Sequence, residues 1–166
     1  KPKIFNDNRG YFFESYNEKI FFNSMGRKIK FVQENYSKSR KGVLRGLHYQ
    51  KKPYEQGKLI MVVKGKIFDV VVDLRHKSKT FGDWFGIYLS DKKKEQLWIP
   101  KGFAHGYYVL SKFAEIKYIT TDFYKPNYEK VLFWNDKDIS IKWPLTNTKP
   151  IISKKDKDGE LFQKLT

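Results

Sequence analysis

The chain has 166 residues, 40% hydrophobic and 17% aromatic, which is enough apolar material for one folded domain over residues 1–166 and excludes a disordered chain. It has no cysteine, so disulfides, thiolate nucleophiles and cysteine-bound zinc are excluded. The net charge of +16, from 34 Lys and Arg against 18 Asp and Glu, attracts anions, but the lysines lie in short runs near residues 38–41, 92–94 and 154–157 rather than in one basic block. No stretch approaches the roughly 18 apolar residues of a membrane helix, and no signal peptide is visible. A cytoplasmic protein with no membrane partner is expected. The chain begins at Lys1, without an initiator Met.

In chain order, the first periodic element is a helix over residues 17–25, with Asn17 as N-cap and Gly26 as stop. After it, β signals dominate. Residues 31–36, 59–63, 67–74, 84–89, 96–99, 106–110 and 116–121 are short runs rich in β-branched and aromatic side chains. Turn residues separate them, at Lys64-Gly65, Gly82-Asp83, Ser90-Asp91 and Pro100-Lys101-Gly102. Residues 63–67 read as a hairpin with Gly65 at its bend. Many short strands at close spacing indicate an all-β sandwich or small barrel with few helices. Within Phe68-Asp69-Val70-Val71-Val72-Asp73 apolar and polar residues alternate poorly. That strand is expected to be covered on both faces or to aim acidic groups into a cavity.

The chain lacks a Gly-x-Gly-x-x-Gly turn and a Walker-type loop, so dinucleotide and P-loop chemistry have no phosphate cradle. Its three histidines are His48, His76 and His105. Gln50 stands where a barrel metal site would place a second histidine after His48, and an amide is a poor ligand for a transition metal, so no metal is expected. The densest polar chemistry is Gly42-Val43-Leu44-Arg45-Gly46-Leu47-His48-Tyr49-Gln50. Strict strand alternation puts Arg45 and Leu47 on one face and Leu44, Gly46, His48 and Gln50 on the other. Gly46 is expected to leave room for a ligand beside His48, and Arg45 can take a phosphate on its guanidinium fork. A backbone-bonded core histidine and a surface-paired arginine are the alternatives. His76 lies in a polar loop, where solvation is expected. His105 stands at a strand entry, where a structural role and a ligand contact are equally open.

These motifs have a recognisable order. Asp7-Asn8-Arg9-Gly10, Val32-Gln33-Glu34-Asn35, Arg45-Gly46-Leu47-His48-Tyr49-Gln50 and Gly57-Lys58-Leu59 are followed by Thr80-Phe81-Gly82 and Leu97-Trp98-Ile99-Pro100-Lys101-Gly102-Phe103-Ala104-His105-Gly106. Trp134-Asn135-Asp136, Trp143-Pro144 and Ser153-Lys154-Lys155-Asp156 complete the set. Together they closely resemble the dTDP-4-dehydrorhamnose 3,5-epimerase family over nearly the whole chain. Family members usually carry a further strand before the Asp-x-Arg-Gly motif. Six residues precede Asp7, so the native N-terminal strand is expected to be missing.

The resemblance implies a cupin-type jelly-roll barrel acting as a homodimer. It implies inversion at C3 and C5 of dTDP-4-keto-6-deoxy-glucose without cofactor. In that assignment His48 is the base, Asp156 its partner carboxylate, Lys58 the cation facing the 4-oxygen, and Tyr118 the proton donor on the opposite sugar face. Arg9, Phe12, Glu14, Gln33, Asn35, Arg45, Asp73, His105 and Tyr124 match positions around nucleotide and sugar, some of them reaching across a dimer. Within the family fold, a C3- or C5-only epimerase and a 3,4-ketoisomerase remain alternatives. A non-catalytic sugar-binding or nucleic-acid-binding barrel is the alternative of a different class; the dispersed charge argues against a nucleic-acid partner.

Overall fold

In the computed structural model, which describes residues 1–146 and 149–165, the β-branched and aromatic runs become strands stacked as two antiparallel sheets. The chain opens with a small hairpin of β1 (Phe5–Asp7) and β2 (Gly10–Phe12), followed by helix α1 (Glu18–Met25). Asn17 caps α1 by accepting from the Ile20 N–H at 3.2 Å, and Gly26 ends it in the left-handed conformation at φ 66°, as expected. One sheet has the order β3-β10-β5-β8, from β3 (Gln33–Arg40), β10 (Phe113–Thr120), β5 (Lys58–Lys64) and β8 (Gln96–Ile99). The other has the order β11-β4-β9-β6-β7. Its strands are β11 (Glu129–Val131), β4 (Leu44–Gln50), β9 (Phe103–Val109), β6 (Lys66–Asp73) and β7 (Trp84–Ser90). A short helix α2 (Lys154–Lys157) packs near β4. The architecture is the all-β sandwich that strand spacing indicates, in the jelly-roll form that the family resemblance implies. None of the described helices is long and apolar enough to cross a membrane.

Two apolar clusters account for the layering. Ile60, Val62, Ile67, Val71, Leu89, Val109 and Ile116 fill one half of the space between the sheets. Leu47, Phe68, Val70, Val72, Leu132 and Ile139 lie on the outer face of the five-stranded sheet, under Trp143 and Phe162 of the C-terminal segment. Each such side chain contributes about 1.5–3 kcal/mol on full burial. Strand β6 serves both clusters, which explains its missing alternation: Phe68, Val70 and Val72 point outward, and Ile67 and Val71 point inward.

Two local expectations need correction. Gly65 does not close a hairpin: β5 and β6 belong to different sheets, and Gly65, at φ 91°, carries the chain from one layer to the other. Turn chemistry alone cannot distinguish these outcomes, because both need a tight reversal at a residue with positive φ. In β4, the strict alternation fails. The register against β9 shifts between Arg45 and His48, with Gly46 at φ 117°. This irregularity turns both Arg45 and His48 toward the space between the sheets, while Leu47 joins the outer cluster.

Gly46 leaves no room for a ligand either. A Cβ there would stand 2.6 Å from Gly106 Cα and 2.7 Å from the His105 carbonyl, so glycine is required for close backbone approach. Gly46→Ala is therefore expected to destabilise the fold by roughly 2–5 kcal/mol, from positive φ and overpacking together. Urea denaturation measures this; a change below about 0.5 kcal/mol, the scale of a neutral surface substitution, would contradict the packing described.

Candidate active site

The half of the interlayer space that the core leaves open is a cavity of ≈ 220 Å³. Its walls come from both sheets. The five-stranded sheet supplies Arg45 and His48 from β4, His105, Gly106 and Tyr107 from β9, and Glu129 from β11. The four-stranded sheet supplies Ser37 from β3, Lys58 from β5 and Tyr118 from β10. His48 and Tyr118 thus face one cavity from opposite layers. A larger cleft of ≈ 540 Å³ lies among the N-terminal segment, α1 and Trp98, but it brings no histidine to its lining.

Asp156 reaches the cavity from α2. Its Oδ1 lies 2.7 Å from His48 Nε2, and its Oδ2 accepts from the Gly46 N–H at 3.1 Å. Ser153 caps α2 by accepting from the Asp156 N–H at 3.1 Å, which fixes the helix turn that aims the carboxylate. Burial pushes the Asp156 carboxyl up, but the His48 imidazole, the Gly46 N–H and Ser153 outweigh it and hold the group below its ordinary value. The carboxylate therefore stays ionised. With Nε2 committed to Asp156, Nδ1 is the His48 nitrogen left to take up a proton.

Lys58 is buried, and its Nζ donates to the His48 carbonyl at 3.4 Å. Burial lowers its pKa to about 8, and the carboxylates of Glu129 and Asp69 limit that drop. At neutral pH it remains mostly an ammonium in a poorly solvated wall. The Tyr118 phenol moves the other way: burial first, then Tyr107 and Glu129, raise it, with Arg45 opposing. Tyr118 is therefore protonated at neutral pH and able to donate.

His105 is buried, with Nε2 at 3.0 and 3.1 Å from the two oxygens of Asp69. Burial lowers its pKa despite that carboxylate, so the imidazole is neutral. Glu129 is bonded by Tyr124 Oη at 2.6 Å and paired with Lys155. Burial raises its pKa, but Lys155 and Tyr124 outweigh this and keep it an anion. Gln33, Asn35 and Ser37 share the inward face of β3 beside this cavity. Gln33 donates to Asn35 at 2.8 Å and accepts from the Tyr124 N–H at 2.9 Å, and Asn35 pairs directly with Tyr118 across the sheet.

The structure thus brings together His48, Asp156, Lys58, Tyr118, Arg45 and His105, with Gln33, Asn35 and Tyr124 at the rim. It does not bring Asp73. That carboxylate is tied to Arg75 at 2.7 and 2.8 Å and to Thr80 at 2.7 Å, closing the turn after β6. Asp69, four residues earlier, is the β6 acid that serves the cavity through His105. Within one chain Arg9, Phe12 and Glu14 also lie apart from it. Arg9 is bonded to Asp7 at 2.5 and 3.1 Å, Phe12 is exposed in the hairpin, and Glu14 accepts from Asn17 at 3.0 Å. His76 packs against Phe81 in a tilted ring contact, outside the cavity lining. Gln50 spends its amide on the backbone, donating to the Tyr54 and Phe123 carbonyls and accepting from the Lys125 N–H. Glu129 and Tyr107 were not anticipated. Glu129 sits on a three-residue strand without readable periodicity, and Tyr107 is one tyrosine among 11.

Known proteins resemble this chain over nearly its whole length. The family model for dTDP-4-dehydrorhamnose 3,5-epimerase matches residues 1–164. A dTDP-4-dehydrorhamnose 3,5-epimerase of Shigella flexneri is 55% identical over 162 residues, covering 98% of this chain and 88% of that protein. A dTDP-6-deoxy-D-glucose-3,5-epimerase of Legionella pneumophila, solved with dTDP-4-keto-L-rhamnose, superposes with a TM-score of 0.93 at 48% identity, covering 98% and 85%. A Bacillus anthracis dTDP-4-dehydrorhamnose 3,5-epimerase with TDP and PPi bound gives 0.92 at 44% identity, covering 97% and 91%.

The cavity geometry carries a stability consequence. Below pH 8 Lys58 is charged in both folded and unfolded chains, so its full burial penalty applies. Between pH 8 and 10.5 the folded chain loses the proton first, and the penalty fades as pH rises. Lys58→Met is expected to stabilise the fold at pH 7 by up to about 3 kcal/mol, with the gain shrinking by pH 10. Thermal melts at the two pH values measure it; a less stable Met variant at pH 7 would show that Glu129 and Asp69 fully compensate the charge.

Proposed function

The chain belongs to the dTDP-4-dehydrorhamnose 3,5-epimerase family, and we propose that the cavity between its sheets is where this isomerase inverts C3 and C5 of dTDP-4-keto-6-deoxy-D-glucose, giving dTDP-4-keto-L-rhamnose. One observation supports the site assignment most: His48 and Tyr118 face one space from opposite sheets, with Lys58 in its wall. A C–H beside a ketone is weakly acidic, so its removal needs a positioned base and a group that stabilises the enolate oxygen. His48 Nδ1 takes the proton from one face of the ring, and the C–H electron pair moves onto the C4 oxygen. The Lys58 ammonium offsets that charge in a poorly solvated wall. Tyr118 then donates to the carbon from the other face, and the phenolate is reprotonated later. One proton leaves and one arrives at each carbon, so the reaction is redox-neutral.

Asp156 holds the imidazole in the tautomer with Nε2–H and stabilises the imidazolium once it forms. Arg45 binds the diphosphate, and neutral His105, fixed by Asp69, lines the sugar side. Gln33, Asn35 and Tyr124 form the nucleotide rim, where the Tyr124 ring, 48% exposed, offers a face for stacking. We further assign the working form as a cytoplasmic homodimer in which the β1–β2 hairpin carries Arg9 and Phe12, with Glu14, toward a second copy's cavity. The support is exposure: Phe5, Tyr11 and Phe12 of this hairpin each leave half or more of their surface open.

His48→Ala is expected to lower turnover of dTDP-4-keto-6-deoxy-D-glucose by at least roughly 10²–10⁴-fold, the range for loss of a general base. Stopped-time assays on purified protein measure this, and wild-type turnover would remove His48 from the mechanism.

A further inference from the structure

Arg45 lines the cavity, and it is held differently from the paired arginines outside it. Among the described residues it has no carboxylate partner; instead its Nε donates to Ser39 Oγ at 2.9 Å. Arg9 and Arg75, by contrast, are each tied to an aspartate. Ser39 is buried, 5% exposed, and ends the inward row Gln33, Asn35, Ser37, Ser39 of β3. The bond therefore spans the two sheets, from β3 of one to β4 of the other.

This contact has a chemical consequence. A guanidinium can grip an anion through its Nε/Nη2 edge or through its Nη1/Nη2 end. With Nε committed to Ser39, the end carrying four N–H donors is the one left for an anion. An arginine side chain also loses considerable rotamer freedom when it is fixed. An anchor in the free protein removes part of that loss before the ligand arrives.

We infer that Ser39 is a positioning residue, which holds the Arg45 guanidinium so that its Nη1/Nη2 end meets the substrate's diphosphate. The inference rests on the assignment of Arg45 to the diphosphate made above. Ser39 lies outside the cavity lining and its hydroxyl is bonded to Arg45, so its effect is expected to fall on binding and to leave proton transfer alone.

The test is a double-mutant cycle on the full chain with dTDP-4-keto-6-deoxy-D-glucose, comparing wild type, Ser39→Ala, Arg45→Lys and the double variant. Ser39→Ala is expected to raise KM about three- to tenfold, the scale of one net hydrogen bond, with kcat near wild type. The inhibition constant of dTDP should rise in parallel, and that of thymidine should not move. In the Arg45→Lys background, where no Nε–H exists, Ser39→Ala should add nothing. A wild-type KM for Ser39→Ala beside a raised KM for Arg45→Lys would overturn the role of Ser39 and leave Arg45 on the diphosphate. Full additivity, or a loss confined to kcat, would overturn it equally. A wild-type KM for Arg45→Lys would remove the Arg45 assignment, and this inference with it.

Discussion

Asp156 meets His48 across 108 residues of chain, and the 2.7 Å hydrogen bond between them joins the C-terminal segment to the middle of the barrel. Almost everything in the cavity follows from it. An isolated buried carboxylate would take up a proton; the imidazole, the Gly46 N–H and the Ser153 turn hold this one ionised. An ionised Asp156 then fixes which imidazole nitrogen carries hydrogen and which is free. The bond also requires β4 to bend, because Gly46 both donates to Asp156 and lies against Gly106 and the His105 carbonyl. The glycine, the strand irregularity and the helix cap are thus parts of one device that presents a base to the interlayer space.

The sandwich divides into a dry half and a polar half. In the dry half, aliphatic side chains of both sheets interdigitate and set the distance between the layers. In the polar half, Lys58 and His105 are buried at a cost that nearby carboxylates only partly offset, whereas the partners of the buried Asp156 outweigh its burial. The dry half makes this arrangement tolerable. It keeps the two walls rigid, so the base on one sheet and the phenol on the other keep their separation without a ligand to organise them.

Much of the fold was legible in the residues, because strand propensity and turn residues act locally. Residues 59–63, 84–89 and 96–99 lie within β5, β7 and β8, and the Asn17 and Gly26 caps bound α1. What stayed hidden was non-local. Gly65 signals a reversal but cannot say which sheet receives the chain. Alternation placed Arg45 opposite His48, because the register shift that brings them together arises from contact with β9. The motif order led to His48, Lys58, Tyr118 and Asp156, which do share one site. It also led to Asp73, where the carboxylate closes a turn with Arg75 and Thr80, and it passed over Asp69, whose role comes through its bond to His105 and its charge near Lys58. Glu129 carried no signal at all, as its place depends on how a three-residue strand pairs with β4.

The central claim is that two groups on opposed sheets serve opposite faces of one sugar ring. NMR of the reaction in deuterated water, run with wild type and with Tyr118→Phe, tests it most directly. The wild type should place solvent deuterium at both C3 and C5 of the product. The Phe variant keeps the base and loses the opposing acid, so deuterium should enter recovered, uninverted sugar while doubly inverted product forms at least about 10²-fold more slowly. Inversion at the wild-type rate in that variant, or label at only one carbon with the wild type, would contradict the account.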